Sequence, residues 1–171
     1  MRHLLLSVGL IPENELTRAV GIDLDPVTSG AIVDEYRETS HPGVFACGNV
    51  LHVHDLVDYV TLESQTAGEG AANYVLGKKG DAVYIRTKGV SGVRYIVPQK
   101  VNRNNGDDVK LYFRVGQTYK NAYISVKYNG EEIQRRKRPR LAPGEMENVI
   151  IKKEMLEKFD ADGVIEIGVE V

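Results

Sequence analysis

The chain has 171 residues, which fits one ordinary domain or two small ones. Its formal net charge of -2, with 42% hydrophobic and 27% charged residues, gives no electrostatic reason to expect nucleic acid or an anionic membrane. One cysteine, Cys47, excludes an internal disulfide framework and a CxxC redox pair, and no apolar run approaches the roughly 20 residues that span a bilayer.

In chain order, Leu4 to Val8 is a short apolar run closed by Gly9 and reads as a buried strand, which Pro12 ends. Asn14 to Val20 fits a short helix stopped by Gly21. Ile22 to Leu24 and Ala31 to Val33 flank the turn-rich DPVTSG and suggest a hairpin. Val44 to Ala46 is a further short strand ending at Gly48. A helix is expected from about Asp58 to Leu76, with Leu62, Ala67, Ala71 and Val75 at roughly helical spacing and Gly77 as its C-terminal cap.

At GKKG, Gly77 to Gly80, the pattern changes from helical spacing to short alternating strands. Strands are expected near Ala82 to Arg86, Val93 to Val97, Val109 to Val115, Ala122 to Tyr128, Glu131 to Arg138, Val149 to Lys152 and Val164 to Val169. Asn129-Gly130 is a hairpin turn, because both residues tolerate positive φ. Lys153 to Phe159 fits one or two helical turns. The expected class is α+β: residues 1–78 form one part, and residues 79–171 form an antiparallel immunoglobulin-like β-sandwich.

The most informative stretch is Thr39 to Val50, TSHPGVFACGNV. It reads as a turn, a short buried strand, and a glycine where the backbone passes close to a neighbour. Asn49 adds an amide there, and the start of the next helix offers free N–H groups to an anion or polar ligand edge. A tight strand-to-loop turn in any α/β protein has the same pattern.

Taken with LLLSVG (Leu4 to Gly9), Pro12, NELTRAVGIDLD and GAIVDEYRETSHPGVFACGNV, this stretch resembles the end of a flavoprotein with two dinucleotide-binding domains. That superfamily includes the thioredoxin reductases and NADH oxidases. HVHDLVDYV and the β-rich tail are similar to bacterial and archaeal NAD/FAD oxidoreductases, some of them associated with glycerol-3-phosphate dehydrogenase. The resemblance covers about the first 76 residues. It implies that residues 1–78 are the C-terminal remnant of an FAD domain, with FAD and NAD(P) as cofactors of an intact oxidoreductase. Gly9 would end the strand returning from the NAD(P) domain. Gly48, Asn49 and Val50 would stand where the family's Ala-x-Gly-Asp phrase meets the ribityl chain. Val60 and Thr61 would lie at the helix start that points at the flavin ring. Asn49 replaces the family's aspartate, so it keeps an acceptor but loses the charge.

The two G-x-G-x-x-G fingerprints that hold FAD and NAD(P) in this superfamily are absent. Gly68 to Asn73 starts like one but lies inside the expected helix. The resemblance therefore implies a fragment that is inactive alone and has no assignable catalytic residue. The alternative function is a β-sandwich module that docks the flavoprotein onto a dehydrogenase or electron-transfer subunit. The start MRHLLLSVGLIPE lacks a secretory signal's long apolar stretch and cleavage site, and the expected location is cytoplasmic.

Other clusters read more plainly. Cys47 fits buried packing better than redox chemistry. His52, His54 and Asp55 form an H-x-H-D group with metal-like spacing, but with no second ligand cluster they read as a polar loop, and no metal is expected. Adjacent Ser40 and His41 diverge and make no hydrolase site. Arg135, Arg136, Lys137, Arg138 and Arg140 fit a charged edge strand. Glu63 and Glu69, six apart on the helix, form no carboxylate pair.

Overall fold

The computed structural model describes Leu4, residues 9–78 and residues 80–171. The strand expected at Leu4 to Val8 therefore falls, beyond Leu4, outside the described residues. Helix α1 is Glu15–Ala19, α2 is Val57–Val75 and α3 is Lys153–Leu156. A 3-10 turn, Gly48–Val50, precedes α2. Eight strands follow α2: β1 Tyr84–Gly89, β2 Val93–Val97, β3 Lys100–Asn102, β4 Val109–Val115, β5 Tyr119–Tyr128, β6 Glu131–Leu141, β7 Glu147–Ile151 and β8 Val164–Glu170. The class is α+β, mostly strands with few helices.

The strands form a five-stranded sheet, ordered β3-β1-β8-β5-β6, and a three-stranded sheet, ordered β2-β4-β7. Every pairing is antiparallel except β1 with β8. This parallel pair corrects the wholly antiparallel expectation. The pattern of each strand shows which face it buries, but not the direction of a neighbour some 80 residues away.

Alternation builds the core. Val109, Leu111, Phe113 and Val115 on β4, Ala122, Ile124 and Val126 on β5, and Ile165, Ile167 and Val169 on β8 are all buried in one cluster that draws on both sheets. Leu156 of α3 and Phe159 complete it. Phe159 stacks on Tyr128, with ring centroids 3.9 Å apart.

The segment before α2 has little regular structure. The expected 22–24/31–33 hairpin is reduced to one bridge, Leu24 to Ala31, and the expected 44–46 strand to one bridge, Phe45 to Glu38. Side chains close these loops instead. Asp34 Oδ1 accepts the Tyr36 and Glu38 N–H groups, and Asn14 Nδ2 donates to the Ser29 and Val50 carbonyls. Gly30 lets the chain cross the Leu51 backbone, because a Cβ there would overlap the Leu51 carbonyl. Ile22, Ala31, Val33 and Leu51 pack with Val97 of β2 in a second, small cluster.

Helix α2 sits as expected, but its buried face is Glu63, Ala67 and Gly70, while Leu62 and Val75 are exposed. Of the expected Leu62, Ala67, Ala71 and Val75, Ala67 is buried and Ala71 half-buried, whereas the two larger residues face out. Gly70 is buried because the helix presses on Tyr36 and Phe45 there. A small residue at the contact sets the face, where counting apolar residues favours the larger ones.

Hydrogen bonds join this segment to the strands. Val33 N–H donates to Gln99 Oε1, Gln99 N–H to the Val33 carbonyl, Tyr84 OH to Asp34 Oδ2, and Arg114 Nη2 to the Val53 carbonyl. Tyr112 lies on β4 between core residues Leu111 and Phe113, so its side chain leaves the sheet on the opposite face. There it meets the rings of His52, His54 and Tyr59, at centroid distances of 6.1, 6.3 and 5.7 Å.

Candidate functional site

The polar residues buried most deeply converge on one carboxylate. Glu63 projects from the second turn of α2 into the space bounded by the Asp34–Arg37 turn, the Gly48–Val50 turn and the strand-like His52–His54 stretch. Its side chain has no exposed surface, and those of Arg37, His52 and His54 are at most 3% exposed.

Four donors surround it. Arg37 Nε donates to Oε1 at 3.0 Å and the Gly48 N–H to Oε2 at 2.8 Å. His52 Nε2 lies 3.1 Å from Oε1 and His54 Nε2 lies 3.0 Å from Oε2. A carboxylate has about four lone-pair sites, so every one is engaged. Burial alone would raise the Glu63 carboxyl. The hydrogen bonds from the two imidazoles, followed by the Arg37 charge, outweigh it and hold the group ionised, far below the usual carboxylate range.

Burial pushes the His52 imidazole down, against the pull of Glu63, and keeps it neutral. The His52–Glu63 contact is therefore a charge-assisted hydrogen bond with one formal charge. An ionised carboxylate only accepts, so in this arrangement both imidazoles carry a proton on Nε2 and the uncharged His52 is bare at Nδ1. Neither Nδ1 atom has a hydrogen-bond partner, and both are buried.

Local backbone geometry delivers these groups. Arg37 has φ +69, held by its N–H to the Asp34 carbonyl, and so turns its side chain inward; its Nη1 also donates to the Glu35 carbonyl. Gly48 has φ +72, which aims its N–H at Glu63. Asn49 Oδ1 accepts the His54 N–H at 3.1 Å and closes the 49–54 loop. Among the described residues, His52, His54 and Glu63 are the one set of three histidine, cysteine or acidic side chains whose ligand atoms lie within 4.8 Å of each other.

The residues singled out from the sequence are only partly gathered. Gly48, Asn49 and Val50 form the 3-10 turn, and Val60 Cγ1 would lie 3.4 Å from a Cβ on Gly48. Thr61 is exposed on the first turns of α2 and bonds back to the Val57 carbonyl. Gly9 is exposed, and a Cβ there would meet nothing within 4 Å. Cys47 is half-buried, with Sγ 3.6 Å from Ser64 Oγ. Asp55 of the H-x-H-D group points away from the histidines, accepting the Met146 N–H and lying 3.5 Å from Arg114.

The basic run lies on β6, at the edge of the larger sheet. Arg136 and Arg138 pair with Glu147, and Arg135 with Glu132 and Glu170. Much of that charge is therefore matched within the chain.

Sequence reading missed Arg37 and Glu63. A usable signal was present: Glu63, Ala67 and Gly70 stand at i, i+4 and i+7, so the carboxylate shares a helix stripe with the two small residues that let α2 pack closely. Comparison with protein-family models, curated proteins and solved structures found no match.

Proposed function

We propose that this chain is the C-terminal part of a flavoprotein oxidoreductase that moves electrons between NAD(P)H and an acceptor through FAD. The observation that carries the reading is the Gly48–Val50 turn beside the start of α2. Gly48 is in the left-handed region, and the helix begins at Val57 with no side-chain cap, although the Tyr59 N–H already donates to the Leu56 carbonyl. The rim is apolar: Leu56 is 52% and Val57 75% exposed. A helix start with free donors beside an apolar rim suits a flavin ring, whose reduced form carries negative charge.

A second feature supports the fragment reading. Of the fifteen large hydrophobic residues exposed among the described residues, thirteen precede Gly77. On the fragment reading, a further part of the protein covers that exposed apolar surface. In this reading the two strand layers, which share one core, are the sheets of an immunoglobulin-like sandwich appended to the FAD domain.

The test compares two proteins. Titration of this chain with FAD, followed by flavin fluorescence and visible absorption, is expected to give no tight binding, because no G-x-G-x-x-G turn is present to hold the pyrophosphate. The same segment joined to the coding sequence that precedes it in its genome is expected to purify yellow, with one flavin per chain that NAD(P)H bleaches. A joined protein that folds and carries no flavin sinks the proposal.

A further inference from the structure

We propose that His52, His54 and Glu63 form a binding site for one divalent transition-metal ion of the zinc type. The inference is independent of the flavin reading, since it rests on the buried cluster alone.

Two imidazoles and one carboxylate are the donor set of a three-ligand zinc centre with an open fourth position. With metal–nitrogen and metal–oxygen bonds of about 2.0–2.2 Å in tetrahedral geometry, neighbouring donor atoms stand about 3.3 Å apart. Here His52 Nε2 lies 3.1 Å from Glu63 Oε1 and His54 Nε2 lies 3.0 Å from Oε2. The two contacts run to different Glu63 oxygens, and one ligand atom from each of the three residues lies within 4.8 Å of the other two, so an ion held through a single oxygen would draw these atoms together.

The surroundings of the carboxylate also fit. Ligating carboxylates are themselves held by hydrogen bonds. Arg37 Nε and the Gly48 N–H occupy one lone pair on each Glu63 oxygen and leave the other directed at the imidazoles. His52 also lines a cavity of about 410 Å³ whose wall includes Pro12, Thr28, Tyr95 and Arg114.

The proton balance is simple. In the metal-free protein the imidazoles donate Nε2–H to Glu63. On binding, each Nε2 lone pair goes to the ion and the proton that Nε2 carried passes to Nδ1 of the same ring. Both Nδ1 atoms are free of protein partners and able to take it.

Cobalt(II) titration of the chelator-treated protein is the test. One equivalent should produce visible d–d bands of a four-coordinate nitrogen and oxygen site, and zinc should bleach them. His54→Gln keeps an N–H donor for Glu63 but removes the imidazole. It should weaken binding by more than the roughly 10–100-fold typical of losing an outer partner, while His41→Gln on the exposed surface should change nothing. Long-range proton–nitrogen spectra of histidine-labelled wild type give a readout that needs no variant: zinc should convert two imidazoles from the Nε2–H to the Nδ1–H form. Absence of cobalt bands at equimolar metal, bands that persist in folded His54→Gln, or imidazoles that keep their Nε2 protons with zinc present would each overturn the site.

Discussion

The two regions of this chain are held by different forces. From β1 onward, alternating strands bury a continuous apolar core, in which Ile85, Leu111, Phe113, Ile124, Ile151 and Ile167 have no exposed surface. Before β1 the apolar cluster is four residues plus Val97, and the charged or polar Glu63, Arg37 and His52 are buried almost as deeply. The strand region gains its stability from the transfer of apolar area out of water, a non-directional term. The first region depends on hydrogen bonds whose loss leaves buried groups unpaired, and on leaning against β2 and β4. A core of the first kind tolerates volume-conserving change, whereas a polar network fails when one member is removed.

The largest effect should come from the strand core. Phe113→Ala removes a ring with no exposed surface from the centre of β4, and such changes cost about 3–5 kcal/mol. Chemical denaturation of the full chain should show the whole transition moving to lower denaturant. Glu63→Ala should cost a similar or slightly smaller amount, about 3–5 kcal/mol for breaking a buried pair, because Arg37 is left buried without its carboxylate. The distribution distinguishes the two variants. Amide hydrogen exchange should lose protection across residues 34–76 in Glu63→Ala while β4, β5 and β8 keep theirs. Uniform loss across the strands would show that the two regions form one cooperative unit.

A smaller effect is expected at the seam. Tyr84 OH donates to Asp34 Oδ2 at 3.0 Å, linking β1 to the turn that presents Arg37. Tyr84→Phe should cost about 1.5–3 kcal/mol, as for a hydrogen bond to a charged group. In a double-mutant cycle with Asp34→Asn, the coupling should be well above zero. A coupling near zero would mean that the seam is held by the two Val33–Gln99 hydrogen bonds and not by this pair.

Legibility in the sequence follows the same division. Strands β2, β4, β5, β6, β7 and β8 were readable because period-two burial is a local property of the chain. Helix α2 was readable from its length and from Gly77. Strand β3 has three residues, too few for a period to appear, and the direction of β1 against β8 is a long-range property. In the first region the candidate hairpin dissolved into single bridges, because its closure depends on Asn14 and Asp34 side chains reaching across the loops. His52 and His54 were recognised as ligand-like from their spacing. Glu63 is not legible from spacing, because Glu69 on its own helix does not face it and its partners come from the loops before α2. Arg37 had no sequence signal, since its inward turn rests on a positive φ that is rare outside glycine and asparagine.

The smallest expected effect tests the surface of the first region. Val57 is 75% exposed at the start of α2, with Leu56 beside it. An exposed side chain with no partner contributes little to folding, so Val57→Ser should change the stability of this chain by no more than about 0.5 kcal/mol. If the apolar rim is the face that the rest of a flavoprotein covers, the same substitution in the longer protein should weaken flavin retention or lower its thermal midpoint. Loss of more than 1 kcal/mol in this chain alone, by an amount like that for burying a valine, would mean that Val57 is covered by the chain itself in solution. The asymmetry of apolar exposure before and after Gly77 would then cease to support a missing neighbour. Equal indifference in both proteins would move the covered face away from the helix start, toward Leu10, Ile11 and Leu16, which are exposed on the same region.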